Sequence, residues 1–430
     1  MLEEKKTSLR QIITIILCFL VIFCGLGLMQ PRGQFVVPIT QALGISRSVY
    51  SINDTIRFAT SAILNFFFAF FIEKFGTKVL ICAGFVAFTG GSLLFGFAEH
   101  IALLYVGSFL FGVGWAWSGT AIVGRVVRKV CDKNLGVVLG IVMAANGIGG
   151  AVASQAYAPF LTRSNTDNPF GYQGAYFLMA AIFAFVFLIL LIFFKDPKTF
   201  TNRTIQKKQR SFTWEGIDFK KAKKTAYFYL VCICIFITGF SLQGLGSFRP
   251  AFLEDVGLSR AFIATLASVG AIVLTFSKFL NGLMFQKLGL RLTVTICIIC
   301  ELIGIVLLFF ITAGTIGEVL SYAYMILLNI AMPLETVMLP VYANELFGEK
   351  SFNNVLGIFV AMHQVGSSLS SLVMNVSYDL AGSYIPIFAV LGVLMTIMLI
   401  VINISISSAN RLRSKTDAVV SETMDENLAE

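Results

Sequence analysis

Twelve apolar runs, each about as long as a bilayer core is thick, govern what this chain can become. A helix rising about 1.5 Å per residue needs about 20 apolar residues to cross the ~30 Å hydrocarbon layer. Runs of that kind lie at residues 12–29, 49–72, 79–98, 101–124, 135–160, 174–194, 225–248, 261–285, 292–312, 318–343, 355–378 and 384–406. The first, Ile12 to Met29, follows Lys5, Lys6 and Arg10 but is too long for a signal-peptide core and lacks a small-residue cleavage site, so it reads as a retained helix. Composition closes the other routes. The 430 residues are 57% hydrophobic and 13% charged, against about 25% charged in soluble domains. A mean hydropathy of +0.85 with 42 Phe excludes disorder, and 37 Gly without a three-residue period exclude collagen.

Charge placement gives an orientation. With the N-terminus inside, most of the 32 Lys and Arg fall in cytoplasmic segments, ten of them between Lys195 and Lys224, while the external loops keep Arg32, Arg47, Arg163, Arg249 and Arg260. Both termini are therefore expected in the cytoplasm of a cell (plasma or inner) membrane. The net charge of +9 is accounted for by short basic loops facing anionic lipid, so no nucleic-acid partner is expected. The expected domains are a six-helix bundle over 1–194, a cytoplasmic linker over 195–224, a second bundle over 225–408 and a tail over 409–430.

The halves repeat. A shift of 213 residues lays Gln30, Gly33 and Phe35 on Gln243, Gly246 and Phe248, then Gly44-Ile45-Ser46-Arg47 on Gly257-Leu258-Ser259-Arg260, then Glu73 to Lys78 on Gln286 to Arg291. A shift of 217 lays Val138-Leu139-Gly140-Ile141 on Val355-Leu356-Gly357-Ile358. The span count, the parallel repeat and the loop Glu73-Lys74-Phe75-Gly76-Thr77-Lys78 together resemble the major facilitator superfamily of transporters. The resemblance implies an all-α polytopic membrane protein, twelve transmembrane helices in two pseudo-symmetric six-helix bundles, moving substrate by alternating access through a cavity between the bundles. It also implies a cytoplasmic latch, with Glu73, Lys74 and Lys78 as gating residues in the first copy and Lys287 and Arg291 in the second, where Gln286 replaces the acid. Ser108 stands near where many proton-coupled members carry Arg.

Ionisable side chains in spans cost about 2.5–3.5 kcal/mol each at the centre and are functional candidates by default. Lys278 lies nine residues before Lys287, roughly 13 Å deep, and Glu335 and His363 lie at similar depth, ten before Glu345 and nine after Asn354. Their repeat mates, Asn65, Ser118 and Asn146, are neutral. This asymmetry suits an anion. Ser277-Lys278-Phe279-Leu280-Asn281-Gly282 is similar to the helix-8 pattern of monocarboxylate transporters, which have Arg at the base, and Pro31-Arg32 resembles their Pro-Lys near the end of helix 1. In oxalate:formate antiporters a second base sits at about the position of His363. Leu274 departs from the monocarboxylate pattern, which has an acid there.

The leading reading is a secondary active transporter of a small organic anion, a monocarboxylate or dicarboxylate, as proton symport or anion exchange. Substrate would be held by Lys278, His363, Arg32, Asn65 and Asn146, with Glu335 in coupling; the partners are the anion, the bilayer, and protons or a counter-anion, and a monomer is expected. The alternative is an exporter of amphipathic or drug-like compounds, in which Glu335 receives cations; a third is a transporter-like sensor that binds without flux. Bland readings compete for each residue: Lys278 and Glu335 as a structural ion pair, His363 as a packing residue, Asp54 and Arg57 as a same-helix pair. Glu301 has no assigned role. Two His and no nucleophile–base or metal spacing argue against an enzyme, a metal site or a cofactor. Cys297-x-x-Cys300 reads as two small residues in a helix, and the Gly147 to Gly150 run as close helix packing.

Overall fold

A computed structural model describes residues 2–131, 135–162, 171–195 and 216–429; Arg163 and linker residues 196–215 lie outside them. The described chain forms twelve long helices, α1 (2–43), α2 (47–75), α3 (77–96), α4 (101–130), α5 (135–162), α6 (171–193), α7 (226–255), α8 (260–288), α9 (290–308), α10 (315–347), α11 (352–381) and α12 (385–429), and a short turn of helix at Phe219–Ala222 before α7. Ten stretches are long and apolar enough to cross a membrane. One of these, Arg260–Leu308, is 49 residues long and turns at Gly289 into α8 and α9. α2 falls outside the ten because Asn53, Asp54 and Arg57 dilute it, and counting both restores twelve.

The helices alternate direction, so one end of the molecule carries both termini (the terminal end) and the other carries the connections 43–47, 96–101, 255–260, 308–315 and 381–385 (the far end). The repeated Gly-x-Ser-Arg sequence has a structural job at the far end. Gly44 and Gly257 take positive φ, 62° and 97°, which residues with a Cβ rarely adopt. Ser46 and Ser259 then cap α2 and α8 by accepting the Val49 and Phe262 amides. Their Arg neighbours are left to reach outward.

Buried apolar side chains gather into two clusters. One runs from Leu17 to Phe194 and the other from Ala222 to Ala409, and Ala251 of α7 joins the first. The halves meet where α2 packs on α11, α5 on α8, and the far part of α1 on α7. Helix 1 extends past the expected Met29 to Leu43 through a π turn at Phe23–Gly27 and a 3-10 turn at Gln30–Phe35. Arg32 and Arg249, expected in external loops, therefore sit inside α1 and α7, partly buried. The Gly run of α5 serves close packing: a Cβ on Gly149 would strike the Phe23 carbonyl and Gly27 of α1.

Candidate functional site

Between the bundles a chain of polar side chains crosses from one half to the other. In α2, Asp54 Oδ1 takes Arg57 Nη2 at 2.7 Å and lies 3.2 Å from Arg32 Nε of α1. The second oxygen of Asp54 accepts the Ser247 hydroxyl of α7 at 3.1 Å, and Ser247 shares a hydrogen with Ser371 of α11. Arg32 continues the chain by donating Nη2 to Gln243 Oε1 of α7 at 3.3 Å. Gln243 Nε2 donates to both oxygens of Glu335 in α10, at 3.1 and 2.9 Å, and His363 Nε2 of α11 is 3.4 Å from Glu335. Three residues predicted for the site, Arg32, Glu335 and His363, thus lie on one network.

Lys278 is different. It is partly buried on α8 and within electrostatic reach of Glu335, yet no ion pair closes within 4.0 Å and no hydrogen bond engages its ammonium among the described residues. The structural Lys278–Glu335 pair is therefore not made in this conformer. Asn65 donates only along its own helix, to Ser61 at 3.2 Å, whereas Asn146 Oδ1 is buried without a partner. Around Arg57 and Arg32 the wall is aromatic: Arg57 lies 4.7 Å from the Phe58 ring centre and 5.5 Å from that of Trp115, and Arg32 lies 5.5 Å from that of Phe58. Trp117 points elsewhere, edge-on to Phe71. Ser108 donates to Asn53 at 2.8 Å, and the cations on this side of the cavity are Arg32 of α1 and Arg57 of α2.

Two seven-residue steps show which end is open. A Cβ on Gly147 of α5 would strike the Ala271 carbonyl and Thr275 hydroxyl of α8, but on Gly140, two turns nearer the terminal end on the same face, it would meet nothing within 4 Å. Gly282, two turns below Thr275 on the matching face, also meets nothing. The seam closes at mid-depth and gapes toward the terminal end.

At the far end it is bolted. Arg47 of α2 grips Asp255 of α7 with two nitrogens, at 2.5 and 2.6 Å, and lies 4.0 Å over the Tyr378 ring of α11. Asp379 accepts the Ser48 amide at 2.9 Å, and Asn375 donates to Ser51 at 2.7 Å. On the opposite edge Arg260 of α8 donates to the Leu161 carbonyl of α5 at 2.6 Å while holding Glu254 of its own half at 2.6 Å. The predicted latch residues sit at the open end: Lys78 donates to the Leu191 carbonyl of α6, Lys74 lies over Phe70 and Phe75, and Arg291 donates to Asn403 of α12. Glu73 and Lys287 are exposed.

Residue-by-residue reading missed Gln243, which joins the two halves of the network, and the reach of Asp54 into the other half. A signal existed for Gln243, because it is the repeat mate of Gln30. Cys297 donates to Asn281 Oδ1 at 3.4 Å.

A twelve-helix membrane protein with its polar site between two six-helix bundles has the build of a transporter. The chain belongs to the Major Facilitator Superfamily, which residues 15–371 and 231–418 match, a family of transporters and not of enzymes. It is 23% identical to the uncharacterised MFS-type transporter YcxA of Bacillus subtilis (strain 168) over 393 residues, 90% of this chain and 93% of that one. It is 24% identical to multidrug resistance protein 2 of the same organism, over 69% of this chain and 72% of the relative. It is 21% identical to the sialic acid transporter NanX of Escherichia coli (strain K12), over 63% and 64%. Among solved structures, the nucleoside transporter NupG (D323A mutant) superposes with a TM-score of 0.74 at 13% identity, covering 93% of this chain and 99% of that one.

Proposed function

We propose that this protein is a secondary active transporter of small organic anions, monocarboxylates or dicarboxylates, with Lys278 as the charge anchor. One observation carries the reading. Around the central cavity Arg32, Asp54, Arg57 and Glu335 all have polar partners, whereas the Lys278 ammonium, in electrostatic reach of Glu335, makes no hydrogen bond or ion pair within 4.0 Å among the described residues. An ammonium in the membrane interior with a carboxylate only at a distance is costly unless a ligand completes it. Asn146, whose oxygen is unpartnered, and Asn65 offer neutral hydrogen bonds from the opposite half. Glu335, held by Gln243 and His363, is the coupling group, either as a proton carrier in symport or as a fixed charge in anion exchange. Arg32, already committed to Asp54 and Gln243, would act on substrate through Gln243 and Glu335 more than by contact. Glu73, Lys74, Lys78, Lys287 and Arg291 would meet as the latch once the terminal end closes. With the termini in the cytoplasm of the cell membrane, this conformer faces inward.

Export of amphipathic or drug-like compounds is the second reading, favoured by the likeness to multidrug resistance protein 2. In that case Glu335 receives a cation and Lys278 is incidental. Uptake of labelled lactate, pyruvate, formate, oxalate, a sugar and a cationic dye into liposomes separates the two. The anion reading expects carboxylate flux that Lys278→Gln abolishes; dye transport, or carboxylate flux indifferent to Lys278, sinks it.

A further inference from the structure

α9 carries an acid that the central site does not use. Glu301 has no solvent exposure. Its Oε1 accepts the Ser241 hydroxyl of α7 at 2.5 Å, and its Oε2 has no partner. The groups that face it offer no counter-charge. They are Cys297 one turn back on α9, Ser241 on α7, the Tyr324 hydroxyl on α10, itself fully buried and unpartnered, and at longer range the Glu335 carboxylate on α10. α12 has no titratable side chain between residues 385 and 410, and the α8 cation, Lys278, interacts with Glu335. The cation of this region, Arg249 of α7, interacts with Tyr324 and donates to the Met325 sulfur at 3.3 Å.

An ionised carboxylate with a single hydroxyl donor and no cation is untenable in a bundle core, and such a group takes a proton instead. The helix that supplies its one hydrogen bond is also one of those that join the halves. Along α7, Ser241 holds Glu301, Gln243 holds Glu335 and Arg32, Ser247 holds Asp54, and Asp255 holds Arg47. α7 thereby connects the far-end bolt to the one donor of Glu301.

We propose that Glu301 is a proton-binding site of this transporter: a neutral carboxylic acid while the far end is closed, which exchanges its proton with water when α7 moves. On release the Oε2–H bond breaks, the proton passes to water, and water solvates the carboxylate left behind. The proposal is independent of what the central site carries, because it concerns the substrate-free protein.

The test is infrared spectroscopy of the purified protein in liposomes without substrate, following the deuterium-sensitive C=O stretch of protonated carboxyl groups as a function of pH. A band is expected in the parent that is lost in Glu301→Gln and kept in Glu335→Gln. Ser241→Ala, which leaves the acid in place, is expected to shift its frequency. Arg47→Gln, which unbolts the far end, is expected to lower its intensity at the same pH. A parent-like band in Glu301→Gln overturns the proton site. Should that variant not fold, an unshifted band in Ser241→Ala overturns it equally, and a parent-like intensity in Arg47→Gln overturns the link to the gate.

Discussion

The two bundles share a backbone and differ in chemistry. In the first, the charges near the cavity are paired locally, with the one carboxylate of Asp54 shared by Arg57 and Arg32. In the second, Glu335 is held by a neutral amide and an imidazole, and Lys278 feels it only at a distance, with no hydrogen bond or ion pair within 4.0 Å among the described residues. The repeated Gly-x-Ser-Arg corners show the same division. Glycine conformation and serine cap are kept in both copies, but Arg47 spends its guanidinium on a carboxylate of the other half while Arg260 donates only to a backbone carbonyl of the other half. Duplication preserved what the fold needs and released what transport needs to vary.

The largest effect that would break this contrast is expected from Asp54→Asn. It strands two arginines in the interior, and removing one partner of a buried ion cluster costs about 3–5 kcal/mol. Thermal unfolding in detergent should show a marked loss of stability, clearly greater than that of Glu335→Gln, whose partners are neutral or titratable. Equal losses would mean that the two bundles treat their acids alike. Next comes the far-end pair. Arg47→Gln removes a bidentate charge-assisted contact between halves, about 1.5–3 kcal/mol, and should favour the far-end-open form by roughly tenfold or more. Arg260→Gln, whose carboxylate partner is in its own half, should shift it by about 1 kcal/mol or less. Labelling of a cysteine placed at Val37, buried in the closed seam, by an impermeant thiol reagent ranks the two; a larger effect of Arg260→Gln would invert the assignment of the main bolt.

What the amino-acid pattern could and could not reveal follows from the same division. Spans, repeat and loop glycines were legible because each obeys a local rule: run length, periodicity, or a backbone angle that favours glycine. The depth arithmetic also brought Glu335 and His363 to one level, and the structure puts them 3.4 Å apart. Arg32 was misplaced because glycines and Pro31 looked like a helix end, whereas in a bundle the neighbouring helices let the helix continue through π and 3-10 turns. The partners of Gln243 and Asp54 across the halves were illegible for another reason: a residue's partner in the opposite half is set by how two bundles dock, and no spacing along one chain encodes that. Glu301 was visible as an anomaly, but its hydroxyl partner, Ser241, is 60 residues away.

The smallest expected effect is the most discriminating, because it compares two glycines seven residues apart on one face of α5. Gly147 lies where α5 and α8 touch, so Gly147→Ala must push the Ala271 backbone and Thr275 away and should destabilise the far-end-closed form. Gly140 faces open space in this conformer, and a methyl group there should leave its stability within about 0.5 kcal/mol, the usual range for substitutions that touch nothing. Alternating access requires the seam to close at the terminal end in the opposite conformer, and there the same methyl group would obstruct. Gly140→Ala should therefore unfold like the parent yet turn over more slowly, with the cysteine at Val37 labelled less because the far-end-open form is disfavoured. Parent-like labelling together with parent-like flux would show that α5 and α8 do not close on each other at Gly140, and that the halves pivot about some other line.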